Sequence, residues 1–325
     1  MRPVGGSLPA GRPPISQGTQ TRSVRRASGY GMSTFIQLLI NTIQIGAIYV
    51  LFSLGLTLIF GVMRIINFAH GEFFSFTALL ISVLIVWLGS HLGLPLWIDY
   101  LIAFAVSLVA LLVLSLAIYR FGFARYLGDM TSGFILSLGL VLILQGLMLE
   151  IFGGYPRAVP ALIDGSVTVL GGAISLQKLI ICVMALAATA AILYIVMKTK
   201  LGVALRAVAE DQEAARLQGI RYRRIAMYGF MIGSALAALA GGLIAPLAVI
   251  LPSMGSEFLI KAFMIVIIGG LGSISGAILA SFLIAAVESF GSFYADLPTA
   301  TLVMFATVAL ILIVRPQGLL GRVVR

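Results

Sequence analysis

KTKLGVALRAVAEDQEAARLQGIRYRR, Lys198 to Arg224, is the stretch that decides how the chain reads. It holds seven of the 21 Lys and Arg residues and three of the 11 acids. Residues 178–197 before it and 225–250 after it are apolar, over lengths close to the ~20 residues that cross a bilayer. A polar segment set between two such runs lies outside the membrane, and the runs are spans. Within it, Val203 to Gln218 is alanine-rich and reads as one helix, with Gly219 as its C-cap.

The same alternation extends over the chain. Of 325 residues, 61% are hydrophobic and 10% charged, against about 25% charged in soluble domains. Runs at roughly 33–62, 72–89, 97–119, 132–152, 178–197, 225–250, 258–290 and 300–315 predict an all-α polytopic membrane protein with eight to ten crossings. The runs are continuous, which excludes a β-barrel of alternating segments. Residues 1–31 are rich in Gly, Pro, Ser and Arg and contain no acid; they are expected to be a disordered basic tail, with Met32 as an alternative start. The five arginines of that tail account for half of the +10 net charge. The remainder fits basic cytoplasmic loops, not a nucleic-acid surface. Residues 32–325 read as a single transmembrane domain. Cys182 is the one cysteine, so no disulfide forms within the chain.

Loop charge predicts sidedness. The 198–224 segment is the most basic and is assigned to the cytoplasm. Residues 120–131, with Arg120 and Arg125, and 63–71, with Arg64, fall on the same side. Residues 90–99 carry no Lys or Arg and 153–177 only Arg157, so both are external. The C-terminus, with Arg315, Arg322 and Arg325, is expected inside, which requires 258–290 to cross twice or re-enter. The basic tail would be inside only if 33–62 also crosses twice. In the external loop, Val167–Leu170 and Ala173–Leu176 flank Gly171-Gly172 and predict a small β-hairpin.

Four features carry candidate chemistry. Glu210, Asp211 and Glu213 cluster on the 198–224 helix, with Ala214 and Ala215 beside them; they mark a docking surface or a solvated loop that only sets orientation. Asn67, His70 and Glu72 stand at a span margin, where Asn67 and His70 at i, i+3 would share a helix face. They line a path, or form a turn fixed by Asn67 and capped by Glu72. Gly269, Gly270 and Gly272 mark a broken helix beside a path, or close packing. No Gly-Lys pair occurs, so there is no Walker loop. With two histidines and one cysteine, no metal site is expected. Glu150 and Glu288 fall near predicted external ends and read as solvated there. On that reading no charge sits at mid-membrane, which argues against a secondary transporter. A membrane enzyme would have His70 and Glu72 without a third group.

The motifs GLTLIFG at 55–61, INFAHGE at 66–72, ALRAVAEDQEAARLQGI at 204–220, GGLGSISGA at 269–277 and RPQGLLG at 315–321 resemble the LivH-type permease of bacterial branched-chain amino acid ABC transporters, over about residues 33–321. The resemblance implies a type II ABC importer-like permease in the inner membrane, with its C-terminus cytoplasmic. It implies a second permease subunit as heterodimer partner, two cytoplasmic ATP-binding subunits and a periplasmic solute-binding protein. No cofactor would be held by this chain; ATP would be used by the partner ATPases, and the chain would not itself be an enzyme. Glu210, Asp211, Glu213, Ala214, Ala215 and Gly219 would be the coupling residues that meet the ATPase. The solute would be a branched-chain or related amino acid, the alternatives being urea, amides or aromatic acids.

Overall fold

The computed structural model describes residues 21–169 and 172–320. Its helices are α1 (Thr21–Met63), α2 (His70–Leu92), α3 (Leu96–Phe121), α4 (Met130–Phe152), α5 (Leu176–Lys198), α6 (Lys200–Glu210), α7 (Gln212–Leu217), α8 (Tyr222–Ile244), α9 (Met254–Gly269), α10 (Ile274–Tyr294) and α11 (Leu297–Val314), with strands β1 (Ser166–Val169) and β2 (Gly172–Ser175). Eight of the described helices are long and apolar enough to cross a membrane: α1 to α5, α8, α10 and α11. α9, with 16 residues, is about 24 Å long and falls short of a full span.

The long helix α1 is the centre of the bundle. In its most apolar window 83% of residues are buried, against 17% for α4 and 11% for α11, so those two form the rim. Small residues let the backbones approach. A Cβ on Gly55 would meet the Gly233 carbonyl oxygen at 2.7 Å, and a Cβ on Gly233 would meet that of Gly55 at 2.7 Å. α1 and α8 therefore cross nearly backbone to backbone. The Ser53 and Ser281 hydroxyls, 3.0 Å apart, join α1 to α10. Tyr100 Oη donates to the Gly242 carbonyl at 2.5 Å, and Tyr119 Oη to that of Arg223 at 2.6 Å, tying α3 to α8 at two depths.

Several helix starts are fixed locally, as orphan N–H groups require. Asp129 accepts from Ser132 N at 3.0 Å, Thr199 from Gly202 N at 3.1 Å, Ser273 from Gly276 N at 3.2 Å and Asp296 from Thr299 N at 3.2 Å. Outside the spans, the hydrogen bonds from Ser132 hold the Asp129 carboxyl below its usual range.

The molecule has two ends. At the coupling end, so named for the role expected of α6 and α7, α6 meets Gly61, where a Cβ would lie 3.7 Å from Ala209 and 4.0 Å from Gly272. The chain's last described turn is held there too, by Leu319 N donating to the Ile268 carbonyl at 2.6 Å. At the hairpin end, β1 and β2 pair antiparallel with Val167 opposite Ile174 and Val169 opposite Gly172. Gly172 is thus in the strand and not in the turn; the connecting residues 170–171 lie outside the described residues. Arg157 and Ile250 exchange backbone hydrogen bonds of 3.0 and 2.8 Å, so the 153–165 and 245–253 loops close this end together. A recess of about 290 Å³, lined by Ser33, Gln37, Asn41, Ala173 and Phe293, opens between α1, β2 and α10.

Four expectations change. α1 is one unbroken helix, so 33–62 passes through once and its two ends lie on opposite sides. α1 also begins at Thr21, inside the stretch expected to be disordered. A nucleated helix extends at one hydrogen bond per residue, and no proline occurs from Thr21 to Met63 to stop it; residues 1–20 lie outside the described residues. The single helix expected over 203–218 is broken at Asp211, whose φ of −148° and ψ of 112° are extended. Residues 63–71 are not a surface loop, as the site geometry shows. Residues 258–290, expected to cross twice or re-enter, form two helices, α9 and α10, about a turn at 270–273.

Candidate functional site

The coupling segment folds as two short helices at a corner. Thr199 starts α6 directly after α5, so Leu201 and Gly202 belong to the coupling helix and not to the preceding span. Leu205 and Val208 are buried and anchor it. Asp211 ends α6 and caps α7, its Oδ1 accepting from Glu213 N at 2.8 Å and Ala214 N at 3.0 Å. Gly219 closes α7 at φ 81°. Its N–H bonds the Arg216 carbonyl at 2.9 Å and the Ile220 N–H bonds that of Ala215 at 3.1 Å, a Schellman closure that needs the left-handed residue. Ala215 is buried, whereas Glu210, Asp211, Glu213 and Ala214 are exposed. Leu217 is 88% exposed, a protruding apolar side chain. Behind this surface, Gln212 Nε2 donates to the Val62 carbonyl at 3.1 Å, and Arg64 Nη2 to that of Glu210 at 3.4 Å. The end of α1 is thereby joined to both coupling helices.

Asn67, His70 and Glu72 lie inside the bundle. After Met63 the chain turns at Arg64, φ 54°, and residues 65–69 run back along α1. His70 Nε2 is 3.1 Å from the Phe52 carbonyl oxygen, about 16 Å from the end of α1 at the helical rise. α2 therefore starts within the membrane. Asn67 precedes the helix, so it does not share a helix face with His70. Both amide atoms of Asn67, His70 Nδ1 and one oxygen of Glu72 are buried without a hydrogen-bond partner. The turn fixed through the Asn67 side chain is thus not formed. Packing holds the segment instead: Phe68 contacts the Phe134 and Phe263 rings at 5.4 and 4.9 Å, and Ser137 Oγ donates to the Ile66 carbonyl at 3.1 Å. One turn on, a Cβ on Gly71 would meet the Gly255 carbonyl oxygen at 2.6 Å. The start of α9 is therefore pressed against the start of α2, and both helices begin at depth.

Gly269, Gly270 and Gly272 sit at the coupling end. Gly269 packs against Gly276 where α9 and α10 cross, and Gly270 and Gly272 take φ of 98° and 82° in the turn. Gly270 and Gly272 thus lie in the turn that separates α9 from α10, and Gly272 lies 4.0 Å from a Cβ placed on Gly61.

Sequence reasoning passed over one constellation. Lys261 Nζ of α9 lies 2.6 Å from Glu288 Oε1 of α10, and Tyr49 Oη of α1 donates to Glu288 Oε2 at 2.5 Å. Lys261 also stands 5.6 Å from the Tyr49 ring and 5.7 Å from that of Phe258. Glu288 is thus paired inside the bundle and not solvated at an end, and the argument from missing intramembrane charge fails. The available signal was two opposite charges in one apolar run; sequence gave no crossing to bring them together. Among the described residues no group of three or more His, Cys, Asp or Glu could hold a metal ion.

The family described as "Branched-chain amino acid transport system / permease component" matches residues 38–314. The chain is 32% identical to the high-affinity branched-chain amino acid transport system permease protein BraD of Pseudomonas aeruginosa, over 89% of this chain and 96% of that one. It is 30% identical to the corresponding LivH of Escherichia coli K12 over the same shares. The likeness to LivM of that organism is lower, 27% over 84% of this chain and 68% of the relative. No solved structure matches.

Proposed function

The chain belongs to the permease-component family of branched-chain amino acid transport systems, and from that premise we propose that it is the LivH-type membrane subunit of an ATP-driven amino acid importer. It pairs with a second, related permease and is driven by two ATP-binding subunits at the coupling end. A solute-binding protein delivers to the hairpin end. The coupling end and the C-terminus face the cytoplasm of a bacterial inner membrane. ATP is bound and hydrolysed by the partners; this chain carries the path.

One observation supports this reading above the others: the coupling corner presents Glu213, Ala214 and Leu217 outward while its inner face is bonded to the end of α1. A loop serving only to set charge would need neither the Asp211 cap nor an apolar side chain in water. Pushing on that corner moves α1, and through Gly61 it meets the α9–α10 turn. An alternating-access change is then a shift between two packings of these elements. Asn67, His70 and Glu72, at the start of α2, lie where such a shift would expose or bury them, and their unpaired atoms then find water or solute.

The test is co-purification. The wild-type chain, co-expressed with its ATP-binding subunits, should carry them through detergent extraction. Glu213→Lys with Leu217→Asp should release them while the permease itself stays folded. Undiminished recovery of the ATPase and undiminished uptake in that variant would sink the docking role.

A further inference from the structure

Tyr49, Lys261 and Glu288 are, we propose, a binding site for the main-chain ammonium and carboxylate of a zwitterionic amino acid in transit. The site deepens the importer reading and rests on it.

Depth comes first. By the ~1.5 Å rise per residue, Tyr49 and Glu288 both lie about 21 Å from the coupling ends of α1 and α10. With a hydrocarbon core of ~30 Å, that is well inside it. The Lys261 and Glu288 side chains are nevertheless 17% and 12% exposed. Glu257, one turn before Lys261 on the same side of α9, is exposed outright. Charges at this depth do not face acyl chains. The side of the bundle bearing Glu257, Lys261 and Glu288 therefore faces water or solute in the assembled transporter.

The pair is not required to hold its helices together. α9 and α10 already cross at Gly269 and Gly276, and Leu319 and Leu320 bond the Ile268 and Gly269 carbonyls. α1 and α10 meet through Ser53 and Ser281. A desolvated ion pair adds little net stability to such an interface.

Its chemistry matches one solute class. A free amino acid carries an ammonium and a carboxylate on adjacent carbons. Its carboxylate can take Lys261 and its ammonium Glu288, so that every charge keeps an opposite partner as the solute replaces the internal pair. Tyr49 holds one Glu288 oxygen and leaves the other for exchange. The Tyr49 and Phe258 rings beside Lys261 offer an apolar wall to the solute's side chain. Urea or a neutral amide has neither charge and cannot open the pair. Lys261 and Glu288 also stand on the two helices that the 270–273 turn joins, so a shift at the coupling corner changes their separation.

The complete transporter, reconstituted in vesicles with its binding protein and ATP, tests this with labelled L-leucine. Lys261→Met combined with Glu288→Leu should assemble and keep ATP hydrolysis that responds to loaded binding protein. Leucine carried per ATP should fall about tenfold or more, the scale of losing charged hydrogen bonds. Tyr49→Phe should raise the KM for uptake about threefold with the maximal rate retained. A double variant that carries leucine at the wild-type ratio, or that fails to assemble because the pair is structural, overturns the site. Wild-type vesicles that take up no amino acid would instead sink the importer reading beneath it.

Discussion

Asp211 shows how a residue's charge can hide its job. In sequence it belongs to an acidic cluster, and a docking role for all three acids is the natural reading. In the fold its carboxylate is occupied by the Glu213 and Ala214 N–H groups, whereas Glu213 projects freely. Asp211→Ala should therefore weaken α7 by about 1 kcal/mol, the usual value of an N-cap, and reduce ATPase co-purification. Asp211→Asn, which caps equally well, should restore it. Failure of Asn to restore recovery would return the role to charge. Gly219 was legible because a glycine after an alanine-rich helix has one common use. Glu288 was not legible: its partners stand on α9 and α1, and only the crossings of those helices bring Lys261 and Tyr49 to it.

At the scale of elements, hydropathy located the spans because apolar length is all a span requires. It could not locate the breaks. Residues 64–69 carry Arg64 and Asn67 and read as a loop on the cytoplasmic side, yet Ile65 is 1% and Asn67 0% exposed. The neighbouring Ile65, Phe68 and Ala69 bury more favourably than Asn67 costs, and Arg64 alone stays at the surface. Gly269, Gly270 and Gly272 were read as either packing or breaking, and they divide by position: Gly269 packs, as Gly55 and Gly71 do, while Gly270 and Gly272 turn. Gly71→Leu should therefore act as overpacking. With the Gly255 carbonyl 2.6 Å from the new Cβ, α2 and α9 must separate at a cost of about 1–3 kcal/mol. The measurement is a lowered melting temperature of the detergent-solubilised chain. Gly139→Leu, on α4, with nothing within 4 Å, should leave it unchanged.

The whole molecule is asymmetric about the membrane in a way its charge pattern only half reveals. Loop charges place 120–131 with the coupling segment and 153–177 opposite, and the fold keeps both relations. The tail arginines suggest an N-terminus beside the coupling segment, but an unbroken α1 whose far end lines the recess with β2 puts the start of that helix at the hairpin end. Continuity of one helix outweighs five arginines, because the positive-inside preference acts on short loops between spans whose number is already fixed. Single cysteines in a Cys182→Ala background decide the matter. Met32, Thr168 and Leu217 are exposed in the fold, so each accepts a cysteine without disturbing the core. In intact cells an impermeant maleimide should label Met32→Cys and Thr168→Cys and leave Leu217→Cys untouched until the membrane is opened. Labelling of Met32→Cys together with Leu217→Cys would mean that α1 does not cross once, and with it the joining of the coupling corner to the far recess through a single rigid helix would fall.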